Sequence, residues 1–468
     1  KIDPKQFGSL RGSSTTFSLI DMINNWLQAL DSPKRYLRIC FLDFSKAFDR
    51  INHNILIAKL IALGVRRCLI PWICDFLSNR RQAVKINESR SEWAYVNGGV
   101  PQGTKLGPIL FLVMINDLKM KSLNSSHWKY VDDVTISEVI KETEESRLQT
   151  ELNELQQWAC ENDMKLNGLK CKKMVVSFLR QSDNYTPLHI NDQQLELVTS
   201  FKILGLTINN HLKWNDNVAI IVKKASKRLY ILRVLRRSGI PPADLLSIYN
   251  ALIRSVLEYA CAVWHTSLPQ YLSNKIERVQ KRALRILYPF TDYAEALSIS
   301  RCSRLDDRRQ SICQNTLQKI ANPCSKLYHL LPSTRGNVHG RSLRNNNQLS
   351  LPKCRTERFK NSFIPYISIV FKNLTEILIR PSSKTKIVLY LQLSTMASKD
   401  LQKRMPFLPN MKTLDRDWLD RHYHLEKVYL KRLATNSIVL PFHSFTYTFN
   451  MAKFTNRSKV YIAKQKYR

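Results

Sequence analysis

Two acidic sites in the first third of the chain have the residue types that metal-dependent chemistry requires. Asp43 lies near the end of an apolar run at 38–44, which is rich in β-forming residues and predicts a strand. Asp132 and Asp133 lie between two further short strands predicted within 128–136. A carboxylate at the end of a buried strand is costly unless it is paired or binds a metal. The pattern is therefore consistent with an ion pair or with a bound divalent cation.

Each acidic site also has a purely structural interpretation. Asp43 or Ser45 could cap a helix that begins near Lys46. Adjacent aspartates are common in tight turns, because Asp tolerates turn geometry. For the pair at 132–133 the context weakens that interpretation, because the flanking aromatic and β-branched residues predict a buried hairpin with only Lys129 as a nearby cation in sequence. A divalent cation would relieve the repulsion between the two carboxylates.

A glycine-rich segment lies between the acidic sites. Residues 98–108 hold four of the 12 glycines and lead into an apolar helix predicted at 109–118. Glycine lets the backbone approach a ligand closely, and Pro108 suits the first turn of a helix. The segment is a candidate ligand-contacting loop, or a plain connection between a hairpin and a helix.

The elements that must position these residues alternate between strand and helix patterns from Gln6 to Leu206, as in an α+β domain. From Asn217 the pattern is wholly helical. The remaining predicted elements are a hairpin of 82–87 and 91–96, an amphipathic helix at 146–166, and helices at 217–238, 243–263 and 271–287.

Charge is the most unusual bulk property of the 468-residue chain. Lys and Arg number 73 against 37 Asp and Glu, which gives a formal net charge of +36. That self-repulsion has no use in an enzyme of small metabolites, whereas it favours a protein that binds a polyphosphate. A cationic membrane binder and a ribosome-associated protein are the alternatives on charge alone.

Cysteine spacing and hydropathy argue against several further classes of protein. The ten cysteines include no Cys-x-x-Cys pair, which argues against a zinc knuckle and a disulfide framework and favours reduced thiols. No run of about 18 uncharged apolar residues occurs, so neither a transmembrane helix nor a membrane partner is expected.

The order and spacing of these segments resemble the palm of reverse transcriptases, most closely those of jockey-type non-LTR retrotransposons. The resemblance covers roughly residues 1–300. Two departures are Val131, where the group usually has Ala, and the absence of a proline often seen in motif D. The matching segments are 6–15 before motif A, 41–53 (motif A), 99–108 (motif B), 130–133 (motif C), 166–171 (motif D), and 201–205 with 212–214 (motif E and the entry to the thumb).

The resemblance implies a right-hand polymerase fold of the α+β class, in which helices pack on an antiparallel palm sheet beside a helical thumb-like domain. The expected domains are a palm with partial fingers at 1–208, a basic thumb-like domain at 209–300, a small mixed extension at 301–374 and a basic tail without assigned structure at 375–468. The family places a fingers hairpin before Gln6 and an endonuclease further upstream, so the chain is expected to be a truncated piece.

The resemblance also implies nucleotidyl transfer with two Mg²⁺ ions, for which Mn²⁺ is a possible substitute. Asp43 and Asp132 would ligate both ions together with the backbone carbonyl of Phe44. Asp133 would be a nearby and less essential carboxylate.

Four further residues would act on the nucleotide. Phe48 would be an aromatic gate against the ribose 2′-hydroxyl, although core packing is the alternative. Gln102 and Gly103 would lie against the nascent base pair. Lys170 would protonate pyrophosphate as a general acid, or would simply be a cation on a surface loop.

The implied partners are an RNA template, a DNA primer and deoxynucleoside triphosphates, with no clear protein partner. Lys223, Lys224 and Lys227 would contact phosphates, and Arg11 is a further candidate for the template backbone. Nuclear localisation would follow if the element is active. The alternatives are a group II intron maturase or telomerase-like polymerase, an inactive relic that retains only nucleic-acid binding, and a basic RNA-binding module that was never an enzyme.

Overall fold

The computed structural model describes residues 1–179, 185–333, 349–370, 438–442 and 445–449. Residues 1–381 form one compact unit and residues 382–468 form a second. In the second unit, the described strands β14 (Ile438–Phe442) and β15 (Phe445–Phe449) pair as an antiparallel hairpin. The rest of the basic tail lies outside the described residues.

A five-stranded sheet lies in the first unit. Its order is β11-β8-β1-β7-β6, with β11 parallel to β8 and every other neighbouring pair antiparallel. The sheet confirms the predicted α+β class. Its strands are β1 (Arg35–Leu42), β6 (Ser125–Tyr130), β7 (Asp133–Lys141), β8 (Lys172–Val176) and β11 (Glu196–Leu197).

Alternation along β1 divides the core between the two faces of the sheet. Ile39 and Phe41 pack in a cluster with Trp26 of helix α1 (Thr15–Leu30). Cys40 and Leu42 pack on the opposite face. The helices that contribute to this second cluster are α2 (His53–Ala62), α3 (Ile70–Leu77), α4 (Leu106–Met114) and α5 (Leu148–Glu161).

The other strands described in the first 210 residues are short. The predicted hairpin is present, but Ser89 and Arg90, expected in its turn, form a strand, because Asn87 makes the turn with a left-handed φ of 52°. The short strands are β2 (Arg80–Gln82), β3 (Lys85–Ile86), β4 (Ser89–Arg90), β5 (Ala94–Val96), β9 (His189–Ile190), β10 (Gln193–Gln194), β12 (Ser200–Ile203) and β13 (Leu206–Asn209).

Between residues 215 and 370 the regular elements among the described residues are helices. Short 3₁₀ turns lie at Arg67–Leu69 and Tyr328–Leu330 in the described part of unit 1. The helices are α6 (Asn215–Arg237), α7 (Pro242–Ile248), α8 (Ser255–Glu258), α9 (Cys261–Trp264), α10 (Gln270–Leu287), α11 (Tyr293–Ser300), α12 (Leu305–Ile320), α13 (Glu357–Lys360) and α14 (Phe363–Val370).

The single helix predicted at 243–263 is wrong, because the chain breaks at Tyr259 and Ala260. A π-helical turn, Tyr249–Arg254, follows α7, and Ala260 takes a left-handed φ of 48° between α8 and α9. The Tyr259 hydroxyl donates to the Leu204 carbonyl at 2.6 Å, which holds the break against the β12–β13 turn. A tertiary contact therefore overrides the local helical pattern.

The chain after 300 packs on the same core as the sheet. Asp31 accepts hydrogen bonds from the backbone N–H groups of Arg355 and Thr356, at 2.9 and 2.8 Å. Ile367 of α14 and Trp26 of α1 belong to one cluster. The described parts of the extension are helices and coil with one bridge residue at 349, and its predicted mixed character stays a prediction. The predicted domain boundaries within residues 1–374 stay predictions.

The described residues also bear on membrane insertion and on the state of the cysteines. No helix in the described ranges is long and apolar enough to cross a membrane. All ten cysteines lie within those ranges and are free thiols.

A buried ion pair fixes the N-terminal segment under β6. Lys129 is fully buried, and its Nζ lies 2.6 Å from Asp3 Oδ2 and 2.8 Å from the Leu118 carbonyl oxygen. Asp3 also accepts from His127 at 3.0 Å. Burial works to raise the pKa of Asp3, but the His127 hydrogen bond and the Lys129 ammonium hold it below the usual value. Lys129 is therefore committed to Asp3, and the acidic pair at 132–133 lacks the sequence-adjacent cation.

Lys129→Ala is expected to lower the free energy of unfolding by roughly 3–5 kcal/mol, because it leaves Asp3 buried without its cation. Urea unfolding followed by circular dichroism measures the change. The control is Lys121→Ala, whose side chain is 77% exposed and pairs with Glu154 at the surface. That control should cost no more than about 1 kcal/mol, and equal losses in the two variants would contradict the role of the buried pair.

Candidate active site

The three predicted carboxylates meet at one end of the central sheet. In the antiparallel register Leu42 of β1 pairs with Val134 of β7, so the next residue, Asp43, lies beside Asp133. Asp133 pairs with Tyr130 of β6, and Asp132 occupies the turn between those strands. Neighbouring antiparallel residues lie about 4.5–5.5 Å apart at Cα. Asp133 therefore opens β7 and is not a turn residue as predicted.

A strained turn presents Asp132. Val131 has a φ of 60°, which is unusual for a β-branched residue and persists only where surrounding contacts enforce it. The buried Gln6 side chain supplies such a contact: its Oε1 accepts from Val131 N–H at 3.0 Å and from Gly8 N–H at 2.8 Å. Gly8 lies so close that a Cβ there would be 2.5 Å from the Val131 nitrogen.

The segment resembling motif D closes around Asp43. The backbone N–H of Asn167 donates to the Asp43 carbonyl oxygen at 2.8 Å, and the Asp43 N–H donates to Cys171 Sγ at 3.3 Å. Phe44 and Leu166 form an antiparallel bridge. These contacts place Lys170 beside the carboxylates, with its Nζ 3.7 Å from Asp43 Oδ2.

The backbone after Asp43 is a turn and not a helix. Lys46 has a left-handed φ of 49°, and the next helix, α2, begins at His53 with Asn52 as its cap. The Ser45 N–H donates a hydrogen bond to the Lys165 carbonyl oxygen at 2.8 Å, which joins this stretch to the residue before the motif D segment. The helix predicted to begin near Lys46 is therefore wrong, and so is the capping interpretation of Asp43 or Ser45.

The carboxylates destabilise one another's charged forms. Burial raises the pKa of Asp132, and the nearby Asp43 carboxylate adds to the rise. Burial raises the pKa of Asp133 to about 6, with further contributions from Asp132 and then Asp43. Lys170 does not remove this repulsion, because its side chain is 69% exposed and its approach to Asp43 is long for an ion pair.

The donor set fits an oxygen-ligated divalent cation. Asp43 Oδ2 is buried and has no hydrogen-bond partner, although the side chain as a whole is 37% exposed, so this oxygen faces inward. The available donors are carboxylates and backbone carbonyls, which suit Mg²⁺. Within the described ranges, no three His, Cys, Asp or Glu side chains form a closed metal cluster. Two carboxylates from different strands are consistent with an ion that completes its shell with other oxygens.

The glycine-rich loop packs on the turn that follows Asp43. Gly99 N–H donates to the Ile51 carbonyl at 2.8 Å, and a Cβ on Gly99 would lie 2.7 Å from Asp49 Cα. Gln102 and Gly103 are exposed, and nothing would meet a Cβ built on Gly103 within 4 Å. The loop is thus anchored at its start and open at the two residues predicted to face a nucleotide.

Phe48 is half-buried and stacks on Phe111 of α4, with ring centroids 4.6 Å apart and planes 17° from parallel. This contact supports the core-packing interpretation. The gating role stays a prediction.

The four predicted nucleic-acid contacts are all exposed, and they lie in two separate elements. Lys223, Lys224 and Lys227 project from α6 opposite its buried residues Ala225 and Leu229. Arg11 lies in the turn that precedes α1.

Sequence reasoning missed the residues that hold the site. Gln6 and Gly8 were recognised as part of a resembling segment without a role, and Cys171 and Asp49 were not singled out. Gln102 Nε2 donates to Asp49 Oδ1 at 3.3 Å. The only sequence signal was the Gln6–Gly8 motif itself, because hydrogen bonds across 50 or more residues leave no local pattern.

Comparison with known proteins defines the class of the first domain. Residues 1–208 match the family model described as reverse transcriptase (RNA-dependent DNA polymerase). Residues 214–255 match the model for the N-terminal part of alkylated DNA repair protein alkB homolog 8. Residues 1–208 thus resemble a reverse-transcriptase domain, while the second match covers only α6, α7 and the turn after them.

The chain is also similar to curated RNA-directed DNA polymerases of transposable elements. A probable RNA-directed DNA polymerase from transposon BS of Drosophila melanogaster is 26% identical over 66% of this chain and 35% of its own length. The RNA-directed DNA polymerase from mobile element jockey of the same species is 27% identical over 68% and 36%. The predicted resemblance to non-LTR retrotransposon enzymes is confirmed. The chain spans about a third of the length of these relatives.

Solved structures give only distant matches. A telomerase from Candida albicans in complex with a TWJ fragment of telomeric RNA aligns with a TM-score of 0.33 and 14% identity, covering 62% of this chain and 52% of that one. An apo telomerase from Candida tropicalis aligns with a TM-score of 0.34 and 12% identity, covering 70% and 57%. Similarity this low carries no functional argument.

Gly8→Ala is expected to displace the 131–132 turn and to lower the apparent melting temperature, because the new Cβ would overlap the Val131 backbone. Differential scanning calorimetry measures the shift. Gly98→Ala is the matched control, because its Cβ would meet atoms no closer than 3.6 Å. An unchanged melting temperature for Gly8→Ala would refute the close packing described here.

Asp133→Asn is expected to raise the melting temperature in metal-free buffer, by an amount that grows with pH. The folded pKa of about 6 exceeds the ordinary value of 3.8, so charging Asp133 costs the folded state stability as pH rises from about 4 to 6. The melting temperatures of variant and parent should be nearly equal at pH 4. At pH values above 7, that of the variant should be higher by about 2 °C. Asp192→Asn, in the exposed β9–β10 turn, controls for loss of charge, and a pH-independent difference for Asp133→Asn would contradict the assignment.

Proposed function

We propose that the chain is the polymerase part of a non-LTR retrotransposon protein, an RNA-directed DNA polymerase that extends a DNA primer on an RNA template. The observation that carries the proposal is the meeting of Asp43, Asp132 and Asp133 at one end of the sheet, with a buried Asp43 oxygen that lacks a hydrogen bond. The reverse-transcriptase match over residues 1–208 supports it. Copying is the activity that the names of the curated relatives describe.

Asp43, Asp132 and the Phe44 carbonyl would hold two Mg²⁺ ions, with Mn²⁺ as a possible substitute. When bound, such ions activate the primer 3′-hydroxyl and neutralise charge on the triphosphate. Asp133 would orient the site from β7 as a nearby carboxylate. The turn at Val131 fixes the direction of Asp132, because Gln6 and Gly8 leave that turn little freedom.

The incoming deoxynucleoside triphosphate would lie between the carboxylates and the open end of the glycine-rich loop. Gly103 is open to the new base pair because the loop is held through Gly99, and Gln102 would exchange its hydrogen bond to Asp49 for that contact. Lys170 would donate a proton to the leaving pyrophosphate from its position 3.7 Å from Asp43. Phe48 would restrict the space at the ribose while resting on Phe111.

The template and primer would be held by charge. Lys223, Lys224 and Lys227 form an exposed face on α6 that suits phosphate contacts, which position a nucleic acid without reading its sequence. Arg11 would add a contact to the template backbone. No described feature identifies a protein partner.

Primer extension on an RNA template with Mg²⁺ tests the proposal. Asp132→Asn should lower kcat by roughly 10³-fold or more, because it removes a ligand shared by both ions and with it several kcal/mol of charge stabilisation. Asp192→Asn is the control and should extend the primer like the parent. Equal extension by Asp132→Asn and the parent would contradict the metal-carboxylate mechanism.

An inactive relic that retains only nucleic-acid binding is the second outcome of the same experiment. It would be indicated if neither the parent nor the control extends the primer while both bind RNA in a salt-sensitive manner. The intact set of three carboxylates argues against this outcome.

A further inference from the structure

Helix α10 has one buried face and one exposed face of uniform charge. At 3.6 residues per turn the exposed cations occupy one arc of about 120°, and they span about 15 Å along the axis. The apolar residues of the buried face are Leu272, Ile276, Val279, Ala283, Leu284 and Leu287. The exposed cations are Lys275, Arg278, Lys281, Arg282 and Arg285.

Nothing in the described chain neutralises this face. Glu277 is the one acidic residue of α10, and it is buried, where it accepts from the Tyr293 hydroxyl and from Leu305 N–H at 3.0 Å. None of the ion pairs found among the described residues includes any of the five cations. Five like charges on one helix face repel one another, and a polyanion relieves that repulsion.

An exposed aromatic ring follows the basic face. Phe290 is 98% exposed, although burying a Phe side chain is ordinarily favourable by about 1.5–3 kcal/mol. Phe290, Lys281 and Arg285 line one open cavity of about 430 Å³. Asp292 also lines it, but its carboxylate accepts the Glu295 N–H at 2.7 Å and caps α11. A flat apolar surface beside two cations matches a nucleotide, which combines a base with a phosphate.

Helix α6 packs against α10. The Arg236 guanidinium donates a hydrogen bond to the Ile286 carbonyl oxygen and joins the end of α6 to the end of α10. Arg236 is itself exposed and adds a further cation at this end. Helices α6 and α10 are therefore a packed pair, and Arg236 extends the basic surface of α10 at this end.

We propose that the exposed face of α10 and Phe290 form a binding site for single-stranded RNA, in which the cations contact phosphates and Phe290 stacks on an unpaired base. The identity of that strand as template rests on the proposed function. A duplex does not satisfy the site, because its bases stack on one another and leave none for Phe290. Stacking on an aromatic ring is tolerant of base identity, so the site holds RNA without reading it.

Fluorescence anisotropy with a labelled, unstructured single-stranded RNA tests the stacking contact. Phe290→Ala should weaken binding about tenfold, while it should leave binding of an abasic strand of the same length unchanged. The exposed position of Phe290 allows the variant to fold, and a melting curve confirms that it does. Equal losses for both probes, or tighter binding of a duplex than of the single strand, would overturn the proposal.

Salt dependence tests the charged contact. Arg278→Gln/Arg282→Gln/Arg285→Gln should reduce the slope of log Kd against log salt by about 2, because each lost phosphate contact on a single strand contributes about 0.7. Arg66→Gln/Arg67→Gln/Lys319→Gln removes the same charge from exposed positions elsewhere and should leave the slope unchanged. The same change in both triple variants would show a general charge effect and overturn the site.

These measurements separate the site from the polymerase activity. Binding is measured without divalent cations or nucleotides, and it is repeated in Asp132→Asn. RNA binding that depends on α10 and Phe290 in a parent chain that does not extend a primer would uphold the site and reject the proposed function. Normal extension with binding indifferent to α10 and Phe290 would do the reverse.

Discussion

Like-charge repulsion among Asp43, Asp132 and Asp133 is the constraint around which the first domain is organised. Three carboxylates at one end of a sheet destabilise the folded state unless something fixes them and something neutralises them. The register of β1 and β7 brings Asp43 beside Asp133. The protein's own cations do not neutralise the group, because Lys129 is buried against Asp3 and Lys170 is mostly exposed. The three carboxylates therefore keep their repulsion in the folded state, and a bound cation would relieve it.

The contacts that fix the carboxylates come from segments far away in the chain. Gln6 and Gly8 hold the turn that carries Asp132, and Asn167 and Cys171 hold the backbone of Asp43. Each contact is a backbone hydrogen bond or a close approach, which leaves the carboxylate side chains free. The backbone of the site is therefore held in place, while its carboxylate side chains stay free to bind a metal ion. Metal-dependent transfer requires this combination.

The basic helices α6 and α10 belong to the same compact unit as this acidic centre. The acidic residues are few and clustered, whereas the cations spread over exposed helix faces on α6 and α10. Both groups serve the same ligand if the proposed function holds, because a polynucleotide needs its phosphates held along its length and its reacting end held at one point.

The sequence by itself determined the α+β class, the identity of the candidate carboxylates and the basic helical region, because these depend on local periodicity, residue type and motif order. Tertiary structure alone decided which groups meet. The break at Tyr259 depends on a hydrogen bond to Leu204, the turn after Asp43 depends on the motif D segment, and Lys129 turns away from the acidic pair toward Asp3. Each outcome depends on a partner distant in sequence, and local pattern carries no information about such partners.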